Sequence, residues 1–255
     1  MIIDCHIHLA PPSVTWWRGV IETEKDFYSY YKKCGIDKAI LSNGIERGEP
    51  KTAKRMLFDN EAVIKFAKKH PKMFLPAVVP HPAFGKDSLE LLERSRREYG
   101  IVWCGELCNY MTGYSYSSPE SLKMLDKIMD LDMVLQIHST DEEVELVLKR
   151  YPQMPVVLPH LGDGRNAINN RISLAEKYKN LYLDLCGSGA DRIGNVEEIV
   201  RRIGDDRVLF GTDYHVNEPG VVVTRVEHSL IRKSSKDKIF YKNVRKLLAS
   251  KGVTF

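Results

Sequence analysis

Eight short apolar runs recur along this chain, and segments with the period of an amphipathic helix separate them. The runs fall at about 2–8, 38–43, 73–80, 101–107, 133–138, 155–160, 181–186 and 207–212, and each has strand character. Between them, "DNEAVIKFAKKHP" opens on Asp59, carries Ala62, Phe66 and Ala67 on one stripe and stops at Pro71. "DSLELLERSRREYG" opens on Asp87 and closes on Gly100, a helix-terminating glycine. "SPESLKMLDKIMDLD", "TDEEVELVLKRYP" and "NVEEIVRRIG" behave the same way. Strand and helix repeated eight times predict parallel strands with right-handed crossovers. Eight such units in 255 residues match the size of a (β/α)8 TIM barrel, an α/β fold. A doubly wound open sheet is the competing architecture. No Pro/Gly/Ser-rich linker divides the chain, so residues 1–255 are expected to form a single barrel domain.

A net charge of +4 with scattered basic residues neither demands nor excludes nucleic acid, and with no nucleic-acid-binding module in the sequence no such partner is expected. The five cysteines, Cys5, Cys34, Cys104, Cys108 and Cys186, form no zinc-ribbon pattern and read as reduced core thiols. No basic leader precedes Ile2, and no apolar stretch approaches the ~20 residues that cross a bilayer. A cytoplasmic protein without a membrane partner is the expectation.

The first run, "IIDCHIHLA", is unusual because it carries Asp4, His6 and His8 among apolar residues. Alternation on a strand would put these three on one face and Ile3, Cys5 and Ile7 on the other. Buried imidazoles without partners are costly, whereas two of them one residue apart can share a metal ion. Other runs also end on polar groups: Glu106 in the fourth, His138 in the fifth, His160 in the sixth and Asp213 in the eighth. Singly, each is an ordinary loop side chain. Together they lie at the carboxyl ends of barrel strands, where barrel enzymes gather their catalytic groups.

Imidazole and carboxylate suit Zn²⁺, Fe²⁺ or Mn²⁺. His6, His8, His138 and Asp213 would supply three nitrogens and one oxygen, leaving a position for an activated water. His160 would polarise a substrate oxygen or donate a proton, Asp213 would accept one, and Asp4 would orient a ligand from below. The long first connection, with Trp16 and Trp17, would wall the pocket or cover the core. His81 and His215 are further candidates at the mouth, and Arg18 or Arg165 could bind a substrate carboxylate.

"DCHIH", "QIHST", "PHLG" and "FGTDY" resemble the amidohydrolase superfamily, and the branch they look most like is the amidohydrolase-2 type of TIM-barrel hydrolases. The resemblance extends through "FAKKHPKMFLPAVVPHP", "NLYLDLCGS" and "KIFYKNVRKLLAS". It implies metal binding by His6, His8, His138 and Asp213, with His160 serving catalysis or a second ion. "CGEL" is similar to a TatD-like motif whose glutamate bridges two metals, which would add Glu106 as a ligand; "GTD" departs from that group's "ETD". The expected function is metal-dependent hydrolysis of a small lactone, ester or amide bearing a carboxylate. The alternatives are non-oxidative decarboxylation of a small aromatic acid and TatD-like phosphodiester cleavage. The expected cofactor is one divalent ion, zinc first and manganese or iron next, with two ions if Glu106 bridges. Members of the branch often pair, so a homo-oligomer is a further expectation. The decarboxylases tend to be longer, so the compact chain favours hydrolysis.

Overall fold

The computed structural model describes residues 1–9, 23–44 and 46–254. Eight parallel strands run through it: β1 (Ile3–Leu9), β2 (Lys38–Asn43), β3 (Phe74–Pro76), β4 (Trp103–Cys108), β5 (Val134–His138), β6 (Val156–Leu158), β7 (Leu181–Asp184) and β8 (Val208–Leu209). β1 to β3 pair in order, as do β4 to β8. Two short pairings, Ile7 beside Tyr214 and Val78 beside Cys104, join the two sets into a ring. At these seams Cys5 N donates to Phe210 O at 2.9 Å and Gly105 N to Val78 O at 2.8 Å. The sheet is therefore a closed barrel, and the open sheet is set aside.

β3, β6 and β8 are at most half as long as their apolar runs. β3 and β6 lie in runs containing Pro76, Pro80, Pro155 and Pro159, which have no N–H for a ladder. Beyond β8, Phe210 N donates instead to Ile239 O at 3.1 Å, in a π-helical turn at Lys238–Lys242.

The helices are α1 (Glu24–Lys33), α2 (Ala53–Lys69), α3 (Gly85–Tyr99), α4 (Asn109–Thr112), α5 (Pro119–Asp130), α6 (Asp141–Arg150), α7 (Arg165–Lys177), α8 (Asn195–Ile203), α9 (Pro219–Glu227), α10 (Lys233–Asp237) and α11 (Asn243–Ala249). Ser118 and Thr140 cap α5 and α6 with their hydroxyls, and α3 ends on Gly100. The helix expected to open on Asp59 starts earlier, at Ala53, where Thr52 Oγ1 accepts Arg55 N. Asp59 instead sits one turn inside and pairs with Arg55 at 2.7 Å, an i,i+4 contact that supports a helix interior.

Strict alternation fails in β1. Ile3 and Cys5 pack in the barrel interior with Ile40, Ala77, Trp103, Val134, Val157 and Leu209, while Ile7 packs outward in the helix layer. The register slips between Asp4 and Ile7, the signature of a bulge. Asp4 consequently turns away from His6 and His8: its Oδ2 accepts Tyr31 Oη of α1 at 2.8 Å. Its Oδ1 accepts His6 N at 2.9 Å and Thr212 N at 3.1 Å, which ties β1 to the β8 loop. A second slip lies in β4, between Cys104 and Leu107. Gly105 has φ 125° there, and a Cβ would lie 2.1 Å from Gln136 O, so only glycine lets β4 pass β5 at this point. One slip falls at His6 and the other at Glu106.

All five cysteines are unpaired, and all but Cys34 are buried. Among the described residues no helix is long and apolar enough to cross a membrane. Val244, Leu247 and Leu248 of α11 join the interior packing at the end where the strands begin. Leu248 is fully buried, so Leu248→Ala is expected to destabilise the fold by about 2–5 kcal/mol in urea unfolding, without altering metal binding at the opposite end.

Candidate metal centre

At the carboxyl ends of the strands, His6, His8, Glu106, His138, His160 and Asp213 converge. His6 Nε2 and His8 Nε2 stand 3.0 Å apart. His6 Nδ1 is 2.8 Å from Asp184 Oδ2, and His8 Nδ1 lies 3.2 Å from Asn43 O and 2.9 Å from Ser42 Oγ. A carboxylate and a carbonyl oxygen accept only, so each imidazole carries its proton on Nδ1. In the neutral rings both Nε2 atoms then present lone pairs to each other, an arrangement that a cation between them relieves. Without one, burial opposes the charged form, but the surrounding acidic groups hold both His6 and His8 above the ordinary imidazole value. Two imidazoles sharing one ion at about 2.0–2.1 Å with angles between a right angle and the tetrahedral value have nitrogens roughly 2.8–3.4 Å apart. The observed separation matches.

The carboxylates complete the cage. Asp213 Oδ1 lies 3.2 Å from His8 Nε2 and 3.9 Å from His6 Nε2. Glu106 Oε2 is 3.6 Å from His6 Nε2 and 3.5 Å from His8 Nε2. Its Oε1 faces the other pair, 3.2 Å from His138 Nδ1 and 3.6 Å from His160 Nε2. Glu106 Oε1 is buried and has no hydrogen-bond partner among the described residues. Burial alone would push the Glu106 carboxyl up, but His6, His138 and His160 hold it well below the usual range. Burial likewise opposes the charge on Asp213, and His8 and His6 outweigh it. Two ionised carboxylates and two imidazole lone pairs, all at most 7% exposed, form a donor set that fits a divalent cation.

Backbone strain is concentrated here. His160 and Asp213 adopt φ 57° and 56°, left-handed values that non-glycine residues seldom take. Asp213 N donates to His6 O at 2.8 Å, so the strained turn is tied to the ligand strand. Asn217 Nδ2 donates to Asp213 Oδ2 at 3.0 Å from the far side.

Asp184, rather than Asp4, orients His6. The sequence reading passed over it, although it ends β7 as the other polar residues end their strands. Asp4 instead braces backbone. His81 also lies outside the centre: Nδ1 accepts Ala83 N at 3.2 Å, and Nε2 donates to Thr112 O at 3.4 Å. His215 is half-buried beyond Tyr214, and Arg165 is exposed at the start of α7. Trp16, Trp17 and Arg18 lie outside the described residues. Tyr110, which the sequence did not single out, places its hydroxyl 3.3 Å from His138 Nδ1.

The amidohydrolase family model matches residues 3–249. The chain belongs to the amidohydrolase family. Solved structures reinforce the fold of this amidohydrolase. One is 2,6-dihydroxybenzoate decarboxylase from Rhizobium, with TM-score 0.77 and 17% identity over 98% of each chain. Another is 5-carboxyvanillate decarboxylase from Novosphingobium aromaticivorans, with manganese and 4-hydroxy-3-methoxy-5-nitrobenzoic acid bound. Its TM-score is 0.78 at 14% identity, over 98% of this chain and 96% of that one. A third is a dihydroxybenzoic acid decarboxylase from Polaromonas, with manganese and 2-nitroresorcinol bound. Its TM-score is 0.73 at 17% identity, over 97% and 96% of the two chains. A search of curated proteins finds no match.

Two predictions follow from the carboxylates around β1. Asp184→Asn is expected to lower divalent-metal affinity about 10–100-fold in chelator competition, since the amide holds His6 Nδ1–H less firmly. Asp4 is raised from 3.8 to about 7, first by burial and further by the Asp184 charge. Its folded form therefore binds a proton more tightly than its unfolded form, and that stabilisation is present at pH 4 and lost as pH rises through 7. In urea unfolding with chelator, wild type should lose stability relative to Asp4→Asn over this window, by up to about 1.4 kcal/mol per pH unit. A difference independent of pH would refute the assignment.

Proposed function

We propose that this amidohydrolase is a divalent-metal-dependent, non-oxidative decarboxylase of a small hydroxylated aromatic acid. The observation that carries the reading is the convergence of His6, His8 and Asp213 on one point, in a barrel like those of the three decarboxylases above. That the chain spans those decarboxylases almost end to end supports this reading over hydrolysis.

His6, His8 and Asp213 would hold the ion, with His138 and Glu106 on the adjoining side. Zinc is the tightest binder expected among zinc, manganese and iron(II) at nitrogen and oxygen donors, and metal availability decides which is carried. When bound, such an ion supplies positive charge that polarises and orients substrate oxygens. His160 Nε2, 3.6 Å from Glu106 Oε1 and 3.9 Å from Asp213 Oδ2, would meet a substrate oxygen held beside the ion. Asp213 takes a proton from a substrate hydroxyl or water and delivers it to the ring carbon that bears the carboxylate. The carbon–carbon bond then breaks, its electron pair restores the ring, and carbon dioxide leaves.

The two-sided placement of Glu106 favours a second reading, a two-metal hydrolase of a lactone, ester or amide in which His138 and His160 hold a second ion. Metal content separates the readings: one ion per chain is expected for the decarboxylase and two for the hydrolase. With manganese or zinc restored, carbon dioxide release from a panel of hydroxybenzoates is expected, and Asp213→Asn should lower turnover about 10²–10⁴-fold. No release from any of them, alongside turnover of a lactone or ester, would overturn the decarboxylase reading.

A further inference from the structure

Cys186 lies two residues beyond β7, fully buried, directly beneath the candidate centre. Its N–H donates to Asp184 Oδ1 at 3.0 Å, and its Sγ stands between two imidazoles, 3.1 Å from His6 Nδ1 and 3.5 Å from His160 Nδ1. The next residue, Gly187, completes the seat, because a Cβ there would lie 2.1 Å from His160 Nδ1. The Nδ1 edge of His160 therefore rests on Cys186 and Gly187. Arg171 holds the backbone below, through the carbonyls of Pro159 and His160. Among the described residues, the thiol is the side chain within hydrogen-bond reach of His160 Nδ1.

The proton inventory gives this contact a direction. His6 Nδ1–H is already committed to Asp184, whose oxygen is nearer than the sulfur. A thiol has one proton to place, and of the two Nδ1 atoms beside it only that of His160 can accept. A thiol is a weak donor, but the tautomers of a neutral imidazole differ little in energy, so a weak contact selects between them. We propose that Cys186 is a positioning residue whose S–H donates to His160 Nδ1, fixing the tautomer with Nε2–H turned into the centre. His160 then offers a proton donor to a substrate oxygen, and metal binding is left to the groups around His6 and His8. The proposal draws on the metal reading for the fate of that Nε2 proton.

Long-range ¹H–¹⁵N correlation spectra of protein labelled at histidine nitrogen test it, with His160 assigned by the signals lost in His160→Gln. The wild-type chain is expected to show His160 as the Nε2–H tautomer, Cys186→Ser to keep it, and Cys186→Ala to shift it towards Nδ1–H. On addition of Zn²⁺, the His6 and His8 Nε2 signals should move while His160 keeps its Nε2 proton. An Nδ1–H tautomer in the wild type, an unchanged tautomer in folded Cys186→Ala, or loss of the Nε2 proton on adding Zn²⁺ would each overturn the proposal. If Cys186→Ala does not fold, the wild-type and Cys186→Ser spectra decide alone. If Zn²⁺ leaves His6 and His8 unmoved, the metal reading fails, and the His160 tautomer in the same spectra still decides the role of Cys186.

Discussion

Two imidazole lone pairs held face to face across 3.0 Å are the constraint around which the mouth of this barrel is built. Left to themselves the rings would rotate apart. Asp184 prevents this for His6, and Ser42 and the Asn43 carbonyl prevent it for His8, by claiming the Nδ1 protons. Asp184 in turn is held by Gln136 Nε2 at 3.4 Å and by Cys186 N, so the orientation of one ring on β1 draws on β5 and β7. The barrel closure matters for the same reason: β1 meets the β8 loop only across the seam, where Asp213 N bonds His6 O.

Much of this was legible in the chain. The eightfold rhythm gave the barrel, because each strand and helix carries its own pattern and cap. Six polar residues at strand ends could be read because a barrel converts sequence position at a strand end into spatial convergence. What escaped the reading were the contacts that depend on local departures from ideal geometry. Alternation assigned Asp4 to the face of His6 and His8, but a bulge sits between them, and no pattern of apolar residues encodes a one-residue slip. Asp184 was missed for a different reason. It is fully buried, and its task is to hold another side chain, a relation across 178 positions of sequence that composition does not reveal.

The two carboxylates that flank β1 do opposite things to the centre. Asp184 accepts from an imidazole N–H and two further donors, so its charge is spread into the ligand shell and raises the basicity of His6 Nε2. Asp4 accepts only from backbone and hydroxyl groups on the outer side, with no cation among those four donors, and burial pushes it up to about 7. A second permanent charge there would repel Asp184 through the low-dielectric wall of the barrel. The bulge in β1 thus turns Asp4 away from His6, whose ring meets Asp184 of β7: one acid faces the imidazole, while the other faces hydroxyls that can donate or accept.

Burial makes these choices matter. Glu106, Asp213 and both histidines of β1 are almost withdrawn from water, so solvent cannot screen a mismatched charge, and the pairings among them are worth more than at the surface. The same withdrawal makes an unpaired buried oxygen such as Glu106 Oε1 expensive without a cation. A fold can carry that cost only if its stability is generated elsewhere. Here the interior packing of Ile3, Val134, Val157 and Leu209 against α11 lies at the opposite end from the strained His160 and Asp213 turns. The barrel therefore concentrates apolar burial where its strands begin and stored electrostatic and backbone strain where they end, and the imidazole pair sits on the side of that division where a cation can relieve it.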